Sequence, residues 1–420
     1  MNQRIFSLSE TAEILNVDKE TLRRWDNLGK LKSIRNPINN YREYRKDDIV
    51  LFEKGKIYFN EKSSSIINTK KVYKSIELFA GAGGLALGLE KAGIEHILLN
   101  EIDKYAVQTL KRNRPHWKIE HGDVSKIDFT PYKNKIDLLT GGFPCQAFSY
   151  AGKKLGFEDT RGTLFFEFAR ALKETNAPVF LAENVRGLLS HEKGKTLEIM
   201  INVLNELGYH IFKPQVLKAI YYKVPQKRER LIIVGIKKEF MEKVTYSYPE
   251  PNEKIYTLKD ALKKGELFDK DVPKSSGQKY PKRKKEILSL VPAGEYWRSL
   301  PIEIQKEYMQ KSFYLGGGKT GMARRISWDE PCLTLTCSPA QKQTERCHPD
   351  ETRPFEVREY ARIQTFPDDW IFEGPQSQQY KQIGNAVPVN LAEAIGHSII
   401  NLLNSINLTK DERVFKNLFS

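Results

Sequence analysis

The spacing of apolar residues divides the chain into regions of different character. From Tyr73 onward, short apolar runs alternate with stretches in which apolar residues recur every three or four positions. The runs predict buried strands, and the recurrent spacing predicts amphipathic helices. The candidate strands are residues 74–80, 94–100, 136–140, 179–183 and 231–236, and the helical stretches between them include residues 85–91, 104–112 and 164–175. This alternation predicts an α/β fold with a doubly wound, largely parallel, Rossmann-like sheet.

The first 53 residues predict a different, mainly helical unit. Ser7 and Glu10 have the spacing of a capping box, and an apolar helical stripe follows them. Asp18 is placed to cap a second helix over residues 19–28, which Gly29 can end. The predicted order is therefore helix, short turn, helix.

Less regular segments follow these helices. Residues 41–45 alternate as a strand does, and Asp47 or Asp48 is placed to cap a last short helix. Residues 60–71 are polar and rich in serine, which is typical of a linker. Residues 246–352 are rich in proline, glycine and lysine with little clear period, and they predict a separate irregular unit.

These patterns predict five segments along the chain. They are the helix–turn–helix unit (residues 1–58), a linker (59–73), the sheet domain (74–245), the irregular unit (246–356), and a return of the chain to the sheet domain that ends in an apolar helix (357–420).

Composition and charge narrow the class of protein. The chain has 420 residues, 40% of them hydrophobic and 29% charged, as expected of a globular protein with two or three structural units. No apolar run is long enough to span a bilayer, and the first residues lack the apolar core of a signal peptide. We therefore expect a cytoplasmic protein with no membrane partner. The net charge of +15 favours a polyanionic partner such as nucleic acid, although a lysine-rich composition alone would give the same value.

The four cysteines are too few and too widely spaced for a disulfide scaffold. Three of them, Cys332, Cys337 and Cys347, precede His348 and suggest a zinc site. Their spacing matches no standard zinc pattern, so we expect free thiols and no metal. The fourth, Cys145, stands apart from the others in the sequence.

One candidate binding site lies where the first strand of the sheet meets a glycine-rich turn. Gly81, Gly83 and Ala86 satisfy the pattern G-x-G-x-x-A, which lets the backbone approach a ligand and exposes the N–H groups of the next helix. Glu101 ends the following strand, where a carboxylate can accept from two ribose hydroxyls. Asp123 follows a further strand and is placed to meet an adenine amino group. These features predict an adenosine cofactor and leave NAD and S-adenosylmethionine open.

A second candidate site combines residues from three strand ends. Cys145 follows Pro144 just beyond a buried strand, and Glu183 ends another strand. Arg228 and Arg230 alternate on the way into a third, so both point to one face. Taken singly, the cysteine would be a small buried side chain and each charge a structural ion pair. Together they supply a nucleophile, an acid and two cations at the carboxyl edge of the sheet, where ligands bind in such folds.

In their order and spacing, these motifs resemble those of the C5-cytosine DNA methyltransferase family. The resemblance extends over residues 74–403 and rests on residues 79–84, Glu101, Asp123 and residues 144–146, 161–164, 183–185, 226–230, 358–370 and 382–388. It implies a large domain with the sheet and cofactor, a small target-recognition domain, and a last helix that returns beside the first motif. The implied cofactor is S-adenosylmethionine and the implied substrate is double-stranded DNA.

The resemblance also implies a role for each candidate residue. Cys145 is the expected nucleophile at C6 of cytosine, and Glu183 is expected to hold N3 and the exocyclic amino group. Arg228 and Arg230 are expected on the O2 side and at the catalytic loop. Because the ring edge is hidden in a duplex, the base must be flipped out, and residues 144–162 are expected to close over it. The expected DNA contacts beside the nucleophile are Gln146 and Ser149, and the expected cofactor contacts are Phe79, Gly81, Gly83, Gly84, Glu101, Ile102, Asp123, Val124, Phe143, Leu164, Asn385 and Val387.

The N-terminal unit resembles the winged helix–turn–helix of the MerR type in residues 8–12, 21–25, 29–31 and 44–45. This resemblance implies a DNA-binding unit whose second helix presents Arg23 and Arg24 to DNA. A protein–protein docking module is the alternative. In the irregular unit, residues 282–285 are basic and suit phosphates, and the glycines of residues 316–321 would let a loop enter a groove. A flexible tip explains residues 316–318 equally well.

The function expected from the sequence is site-specific C5 methylation of cytosine in DNA. Protection of host DNA from a cognate restriction endonuclease and autoregulation through the N-terminal unit are further expectations. Two alternatives are an RNA cytosine C5 methyltransferase and a DNA-binding regulator without catalysis. The basic irregular unit and the N-terminal unit of DNA-binding type disfavour the first, and the intact Cys145, Glu183 and Arg228 disfavour the second. We expect a monomer, with a dimer through the N-terminal unit as the alternative.

Overall fold

The computed structural model describes residues 5–15, 17–35, 41–52, 54–55, 71–143, 164–244 and 246–418, without the side chains of residues 13, 243 and 408–418. Contacts divide the chain into two compact units, residues 1–69 and residues 70–420. The division falls within the polar, serine-rich segment that is typical of a linker.

The N-terminal unit combines short helices with a three-stranded antiparallel sheet. Its elements are β1 (Ile5–Ser7), α1 (Leu8–Leu15), α2 (Lys19–Asn27), β2 (Ile34–Arg35), β3 (Arg42–Arg45) and α3 (Lys46–Ile49), with the sheet order β1–β3–β2. The amide of Ser7 donates to Oε2 of Glu10 at 2.9 Å, and the amide of Glu10 donates to Oγ of Ser7 at 3.3 Å. Asp18 accepts from the amide of Thr21 at 2.6 Å and so caps α2. The predicted capping box and the predicted cap of the second helix are both confirmed.

The start of α3 differs from the prediction. This helix begins at Lys46, so Asp47 and Asp48 lie inside its first turn and neither of them caps it. The N-cap residue is Arg45, because β3 runs directly into the helix, and no side chain supplies a capping bond. The core of the unit is formed by Phe6, Ala12, Ile14, Leu15, Leu22, Leu31, Tyr44 and Ile49.

The second unit is built on a mixed sheet. Its described strands are β4 (Tyr73–Leu78), β5 (Ile94–Glu101), β6 (Ile119–His121), β7 (Leu138–Gly141), β8 (Val179–Val185), β9 (Tyr209–Ile211), β10 (Gln215–Lys218) and β12 (Glu229–Lys237), with β11 (Gln226–Lys227) outside the sheet. The order is β10–β12–β8–β7–β4–β5–β6, and β9 also pairs with β12. Strands β4 to β8 run parallel, as predicted, whereas β12 runs antiparallel to β8, β9 and β10.

Helices cover both faces of this sheet. They are α4 (Gly84–Ala92), α5 (Lys104–Asn113), α6 (Leu164–Thr175) and α7 (Lys195–Glu206). One apolar cluster joins the strands to α4 and to the last helix of the chain, and another joins them to α6 and α7. The central strands are therefore buried on both faces, which explains why they form continuous apolar runs in the sequence.

The last helix, α13 (Val389–Leu418), returns to pack against α4. Gly88 makes the close approach possible, since a Cβ atom there would lie 2.5 Å from the carbonyl oxygen of Val389. Contrary to the prediction from the sequence, one segment, Gln376–Asn407, is long and apolar enough to cross a membrane, but 67% of its apolar window is buried inside the protein. Its apolar character is therefore that of a core helix.

Residues 246–356 hold α8 (Leu258–Leu262), α9 (Lys282–Ser289), α10 (Ile302–Met309) and β13 (Cys332–Leu333), joined by long irregular segments. Helix α8 and β13 share an apolar cluster with α11 (Val357–Ile363) and α12 (Gln376–Asn385). Helices α9 and α10 belong to a separate cluster, here called the irregular lobe, which consists of Tyr280, Ile287, Leu288, Val291, Trp297, Leu300, Tyr308, Met309, Met322, Ala323 and Cys347.

Buried polar side chains hold the backbone of the irregular lobe. Arg325 is 5% exposed and donates to the carbonyl oxygens of Leu288 and Val291, both at 2.7 Å. Glu345 is fully buried, where it pairs with Lys284 and accepts from the hydroxyl of Tyr308. These side chains supply the bonds that a sheet ladder would otherwise supply.

Candidate active site

The turn between β4 and α4 has a backbone that few residues other than glycine can adopt. Gly81 and Gly83 have φ angles of +55° and +83°, and α4 begins at Gly84. A Cβ atom at Gly83 would lie 2.7 Å from Cδ2 of Leu110, so a larger residue would not fit. Gly81 faces open space instead, with no heavy atom within 4 Å of its added Cβ position. The turn thus exposes backbone on one side and is packed on the other.

Glu101 ties this turn to the end of β5. Its carboxylate accepts from the amide of Gly81 at 2.7 Å, from Ile102 at 2.9 Å and from Asp103 at 2.8 Å. A carboxylate offers about four lone-pair positions, so three amides leave it able to accept a further donor such as a hydroxyl. The residue is 9% exposed and lies where the sequence predicted the ribose contact.

Asp123, the predicted adenine contact, and three further predicted cofactor contacts follow strands β5, β6 and β7. Ile102 follows β5 and is 68% exposed, an uncommon position for a large apolar side chain. Asp123 follows β6 and accepts from the amide of Ser125 at 3.0 Å, which lowers the pKa of its carboxyl group. Val124 and Phe143 are buried in one apolar cluster. An exposed apolar side chain after β5 and an ionised carboxylate after β6 suit a ring that carries an amino group.

The predicted acid and one predicted cation meet at the ends of β8 and β12. Oε1 of Glu183 lies 2.6 Å from Nε of Arg230, and the two side chains are only 12% and 11% exposed. Burial raises the pKa of Glu183, while Arg230 and Arg228 act to lower it. A Cβ atom at Gly142 would lie 2.8 Å from Oε2 of Glu183, so the glycine leaves room for the carboxylate. A buried carboxyl group of this kind can exchange a proton with a bound ring.

Arg228 is close to this pair but is held by backbone. Its guanidinium donates to the carbonyl oxygens of Leu335 at 3.2 Å and Gly384 at 2.9 Å, and its Nε finds no hydrogen-bond partner among the described residues. Burial, together with the nearby charge of Arg230, lowers its pKa to about 9. Arg228 therefore joins the segment after β13 to the end of α12 through these two hydrogen bonds.

Three predicted residues, Cys145, Gln146 and Ser149, lie outside the described residues, which stop at Phe143 and resume at Leu164. The structure does bring the strand end before them next to Glu183. Asn184 donates from its side chain to the carbonyl oxygen of Phe143 at 2.9 Å, and this bond holds the end of β7 against β8.

Several residues at the site were missed by sequence reasoning. Cys337 donates to Oδ1 of Asn385 at 3.0 Å, and Lys381 lies 2.9 Å from Asp103. The paired residues are 48 and 278 positions apart in the chain, and no local pattern marks them. Asn184 could have been found, because it lies between Glu183 and Val185 in one of the matched motifs.

The predicted cysteine and histidine cluster near residue 348 is not a metal site in the described part of the chain. No three His, Cys, Asp or Glu side chains there are grouped so that they could hold a metal ion. Cys332 and Cys347 are buried free thiols, and Cys337 is an exposed free thiol.

In the N-terminal unit, Arg23 and Arg24 lie on α2, the second helix of the predicted helix–turn–helix. Arg24 is exposed, and Arg23 pairs with Glu20 at 2.8 Å with 47% of its side chain exposed. Asp26, on the same helix, pairs with Arg42 of β3 at 2.7 Å and so fixes the helix against the small sheet.

Fold and site define the class of protein: an α/β enzyme of the methyltransferase type, with a glycine-rich turn after β4 and a buried acid two strands away. A crystal structure described as a DNA modification methyltransferase encoded within a prophage (E. coli) has a TM-score of 0.61 and 26% identity, over 79% of this chain and 99% of that one. The Entamoeba histolytica methyltransferase EhMeth shares the fold, with a TM-score of 0.55 and 16% identity over 79% of this chain and 99% of that one.

Residues 73–401 match the model of the C-5 cytosine-specific DNA methylase family, and residues 7–44 match that of the MerR family of regulatory proteins. The chain is 67% identical to the type II methyltransferase M.Eco47II of Escherichia coli, over 96% of this chain and 97% of that protein. It is 47% identical to M.Sau96I of Staphylococcus aureus, over 97% of each. The chain belongs to the C-5 cytosine-specific DNA methylase family, and its activity is that of a DNA cytosine C5 methyltransferase. The predicted family, fold class and MerR-like segment are confirmed.

Proposed function

We propose that this protein flips a cytosine out of a specific duplex sequence and methylates its C5 atom, with Cys145 as nucleophile and S-adenosylmethionine as methyl donor. The buried Glu183–Arg230 pair, at 2.6 Å, is the observation that supports this most directly. Cys145 follows Phe143 by two residues, which limits their Cα atoms to a separation of about 7.6 Å, two steps of about 3.8 Å. Asn184 holds the Phe143 carbonyl, so the described chain at the end of β7 lies beside the strand that carries Glu183.

The chemistry follows from the electronic character of cytosine, whose C5 is too weak a nucleophile on its own. When the Cys145 thiolate bonds to C6, electron density moves to C5 and towards N3. Glu183, whose pKa is raised by burial, supplies a proton to N3 as charge builds there. S-adenosylmethionine, when bound, supplies an electrophilic methyl group. C5 then loses its proton to solvent water, and the electron pair of that C–H bond expels the Cys145 thiolate from C6. N3 returns its proton to Glu183, which restores the ring and the enzyme.

The residues around the glycine turn fit this cofactor. Gly81 and Gly122 both face open space, so a ligand can approach the backbone at either position. Glu101 would hold the ribose, and Ile102 with Asp123 would hold the adenine. Phe79, Gly83, Gly84, Val124, Phe143, Leu164, Asn385 and Val387 would complete the pocket.

Tritiated methyl transfer to duplex DNA and to RNA tests the proposal. Transfer to duplex DNA alone is expected, with none by the Cys145→Ser protein. Transfer to RNA would support an RNA methyltransferase, and absence of transfer to either would support a regulator without catalysis. Bisulfite sequencing of DNA from cells that express the chain gives the target sequence.

We also propose that the N-terminal unit binds DNA separately from the catalytic cleft, at the promoter of its own gene. Arg23 and Arg24 are the proposed contacts, and the exposed Arg23–Glu20 pair can be exchanged for a phosphate at little cost. Arg23→Ala with Arg24→Ala should abolish retardation of the promoter fragment and leave methylation unchanged. A truncated variant that starts near Lys71 should likewise keep methylation and lose retardation of the promoter fragment. Loss of methylation by that variant, while folded, would show that the unit serves catalysis or target capture instead.

We further propose a cytoplasmic monomer that protects host DNA from a partner restriction endonuclease. The helix–turn–helix unit, the linker, the sheet domain and the irregular unit are proposed to end at residues 58, 73, 245 and 356. Challenge of methylated DNA with an endonuclease of the same target sequence tests the protection, and sedimentation tests the oligomeric state.

A further inference from the structure

Two fully buried glutamines, Gln226 of β11 and Gln364 at the end of α11, are hydrogen-bonded to each other. Nε2 of Gln226 donates to Oε1 of Gln364 at 2.9 Å. The chemistry and the cofactor contacts proposed above give neither side chain a role. A buried amide without partners costs free energy, so the other bonds of this pair show which parts of the chain it holds together.

On one side, the pair holds residues 332–337 of the irregular unit, here called the β13 segment. Gln226 accepts from the amide of Leu335 at 3.0 Å, and Arg228 donates to the carbonyl oxygen of the same residue at 3.2 Å. Strand β13, at the start of this segment, pairs with β11, where Cys332 lies opposite Gln226. Both backbone polar groups of Leu335 are therefore bonded to side chains that precede β12.

On the other side, the pair holds residues 383–387, here called the cofactor segment because it contains two of the proposed cofactor contacts. Gln364 donates to two of its carbonyl oxygens, those of Ile383 at 2.7 Å and Ala386 at 3.2 Å. Arg228 donates to a third carbonyl oxygen between them at 2.9 Å. The two glutamines thus connect the β13 segment to the cofactor segment, and Arg228 makes a second connection.

The cofactor segment is also packed tightly on both sides. A Cβ atom at Gly384 would lie 2.4 Å from the carbonyl oxygen of Thr336 in the β13 segment. A Cβ atom at Gly84, at the start of α4, would lie 2.3 Å from the carbonyl oxygen of Val387. Because neither contact leaves room for a methyl group, a displacement of the β13 segment is transmitted to the cofactor segment.

All the hydrogen bonds through the glutamine pair run in one direction. They start at the amide of Leu335, pass through the two side-chain amides, and end at the two carbonyl oxygens of the cofactor segment. The backbone groups at the ends cannot exchange the roles of donor and acceptor, so they set the orientation of both side-chain amides. Each amide polarises the next, and loss of one interrupts the whole chain of bonds.

We propose that Gln226 and Gln364 are positioning residues that couple recognition of the target DNA to binding of S-adenosylmethionine. This inference rests on the proposed function, with the irregular unit as the part that recognises DNA. DNA that fixes the β13 segment also fixes, through the two amides, the backbone of the cofactor segment in the arrangement that the cofactor binds. By reciprocity, the cofactor raises the affinity for target DNA by the same factor.

The test is the affinity for S-adenosylmethionine with and without a saturating duplex that carries the target sequence. Calorimetry in the Cys145→Ser protein measures both values without methyl transfer. The duplex should tighten cofactor binding by about 5- to 150-fold, the usual range of such coupling. Gln364→Met, which keeps the length of the side chain and removes its donor and strong acceptor, should bring this ratio close to one. A ratio of one before that substitution, or an unchanged ratio after it, would overturn the proposal.

Gln382→Met is the matched control for a merely structural effect. Gln382 is also a buried glutamine, but it accepts from Thr109 at 2.6 Å and donates to the carbonyl oxygen of Glu373 at 2.8 Å, and neither bond reaches the β13 segment. Its substitution should lower the melting temperature and keep the ratio of affinities. An equal loss of the ratio in both variants would show that any buried glutamine here has this effect, and the proposal would be wrong.

A second variant, Gln226→Met, interrupts the same chain of bonds from the other end. It should also bring the ratio close to one, and the double variant should lose no more than either single variant. Additive losses would contradict a shared chain. Adduct formation with 5-fluorocytosine DNA reports on the proposed function separately, since it depends on Cys145. A protein that forms the adduct but keeps its ratio in both variants refutes this inference alone.

Discussion

The mixed sheet and the irregular lobe belong to one compact unit, but different interactions stabilise them. In the sheet, backbone groups satisfy one another across the ladder, and apolar side chains fill both faces. In the lobe, two short helices and long loops depend on buried charged side chains such as Arg325 and Glu345. The sheet can therefore be predicted from an apolar pattern to which many residues contribute. The lobe depends on a few buried charged residues, and no periodic pattern in the sequence identifies them.

The two regions also differ in what they are proposed to do. The ends of β4, β5, β7 and β8 carry the groups proposed for cofactor and chemistry, while the lobe is part of the region proposed to recognise DNA. If this division is right, substitutions at the strand ends should change rate or cofactor affinity, and substitutions in the lobe should change stability and DNA binding.

The largest effect is expected from Glu183→Gln at the sheet edge. The glutamine keeps the shape but cannot supply a proton to N3, so the rate of methyl transfer should fall by about 10²- to 10⁴-fold. Binding of DNA and cofactor should change little. Single-turnover methylation at saturating cofactor measures the rate, and an unchanged rate would remove Glu183 from the mechanism.

In the lobe, Glu345→Ala and Glu307→Ala form a matched pair. Both glutamates pair with α9, Glu345 with Lys284 and Glu307 with Arg283 at 2.6 Å, but Glu345 is fully buried and Glu307 is 45% exposed. Removal of Glu345 takes the carboxylate from Lys284, which is 18% exposed, and the acceptor from the Tyr308 hydroxyl. The free energy of unfolding should therefore fall by about 3–5 kcal/mol. Glu307→Ala should cause no measurable change.

Chemical denaturation measures this difference, and calorimetry with the cofactor gives the second readout. Glu345→Ala should weaken DNA binding and keep cofactor affinity. Equal destabilisation by the two variants would contradict the view that buried charge holds the lobe.

A smaller effect is expected from Glu101→Ala at the glycine turn. The loss of a charged acceptor for a ribose hydroxyl should weaken S-adenosylmethionine binding by about 1.5–3 kcal/mol. The same change also frees the amide of Gly81, which Glu101 holds at 2.7 Å. Glu101→Gln keeps an acceptor and should lose less. Calorimetry that finds the same dissociation constant for all three proteins would show that Glu101 does not hold the cofactor.

The smallest effect concerns a buried acid within the sheet, Glu77 of β4. It is 1% exposed, and burial, with a contribution from Glu101, raises its pKa well above the ordinary value of 4.5. The folded protein therefore binds this proton more tightly than the unfolded chain does, so the contribution of Glu77 to stability falls as pH rises above about 4.5. In the Glu77→Gln variant, the side-chain amide at this position cannot ionise. The unfolding free energy of this variant relative to wild type should be constant at lower pH and increase towards neutral pH, and a difference independent of pH would refute the raised pKa.

The sequence was sufficient to predict the strands that are buried on both faces and the helices with a clear apolar period. It located the helix Leu164–Thr175 to the residue, and β5 to within one residue of its end. The direction of β12 could not be predicted, because a strand buried on both faces has the same apolar run whether it lies parallel or antiparallel to its neighbour.

At the site, sequence motifs marked Glu101, Glu183 and Arg230 because each ends or begins a strand at the ligand-binding edge. The partners that position them were not visible. Lys381 reaches Asp103 from a helix 278 positions away, and Arg186 and Lys218 line one cleft from different strand ends. Such contacts depend on the packed fold, and no local spacing carries them.

The most direct test of the account is covalent trapping on duplex DNA that carries 5-fluorocytosine at the target position, with S-adenosylmethionine present. Fluorine cannot leave as a proton does, so the bond between the thiol and C6 should persist, and mass spectrometry should find the DNA on the peptide that contains Cys145. Cys337→Ser is the matched control, because Cys337 is an exposed thiol beside Asn385 and its removal should leave the adduct intact. Cys145→Ser should give none. An adduct at Cys337 or another cysteine, or its persistence in Cys145→Ser, would contradict the assignment of Cys145 as the nucleophile.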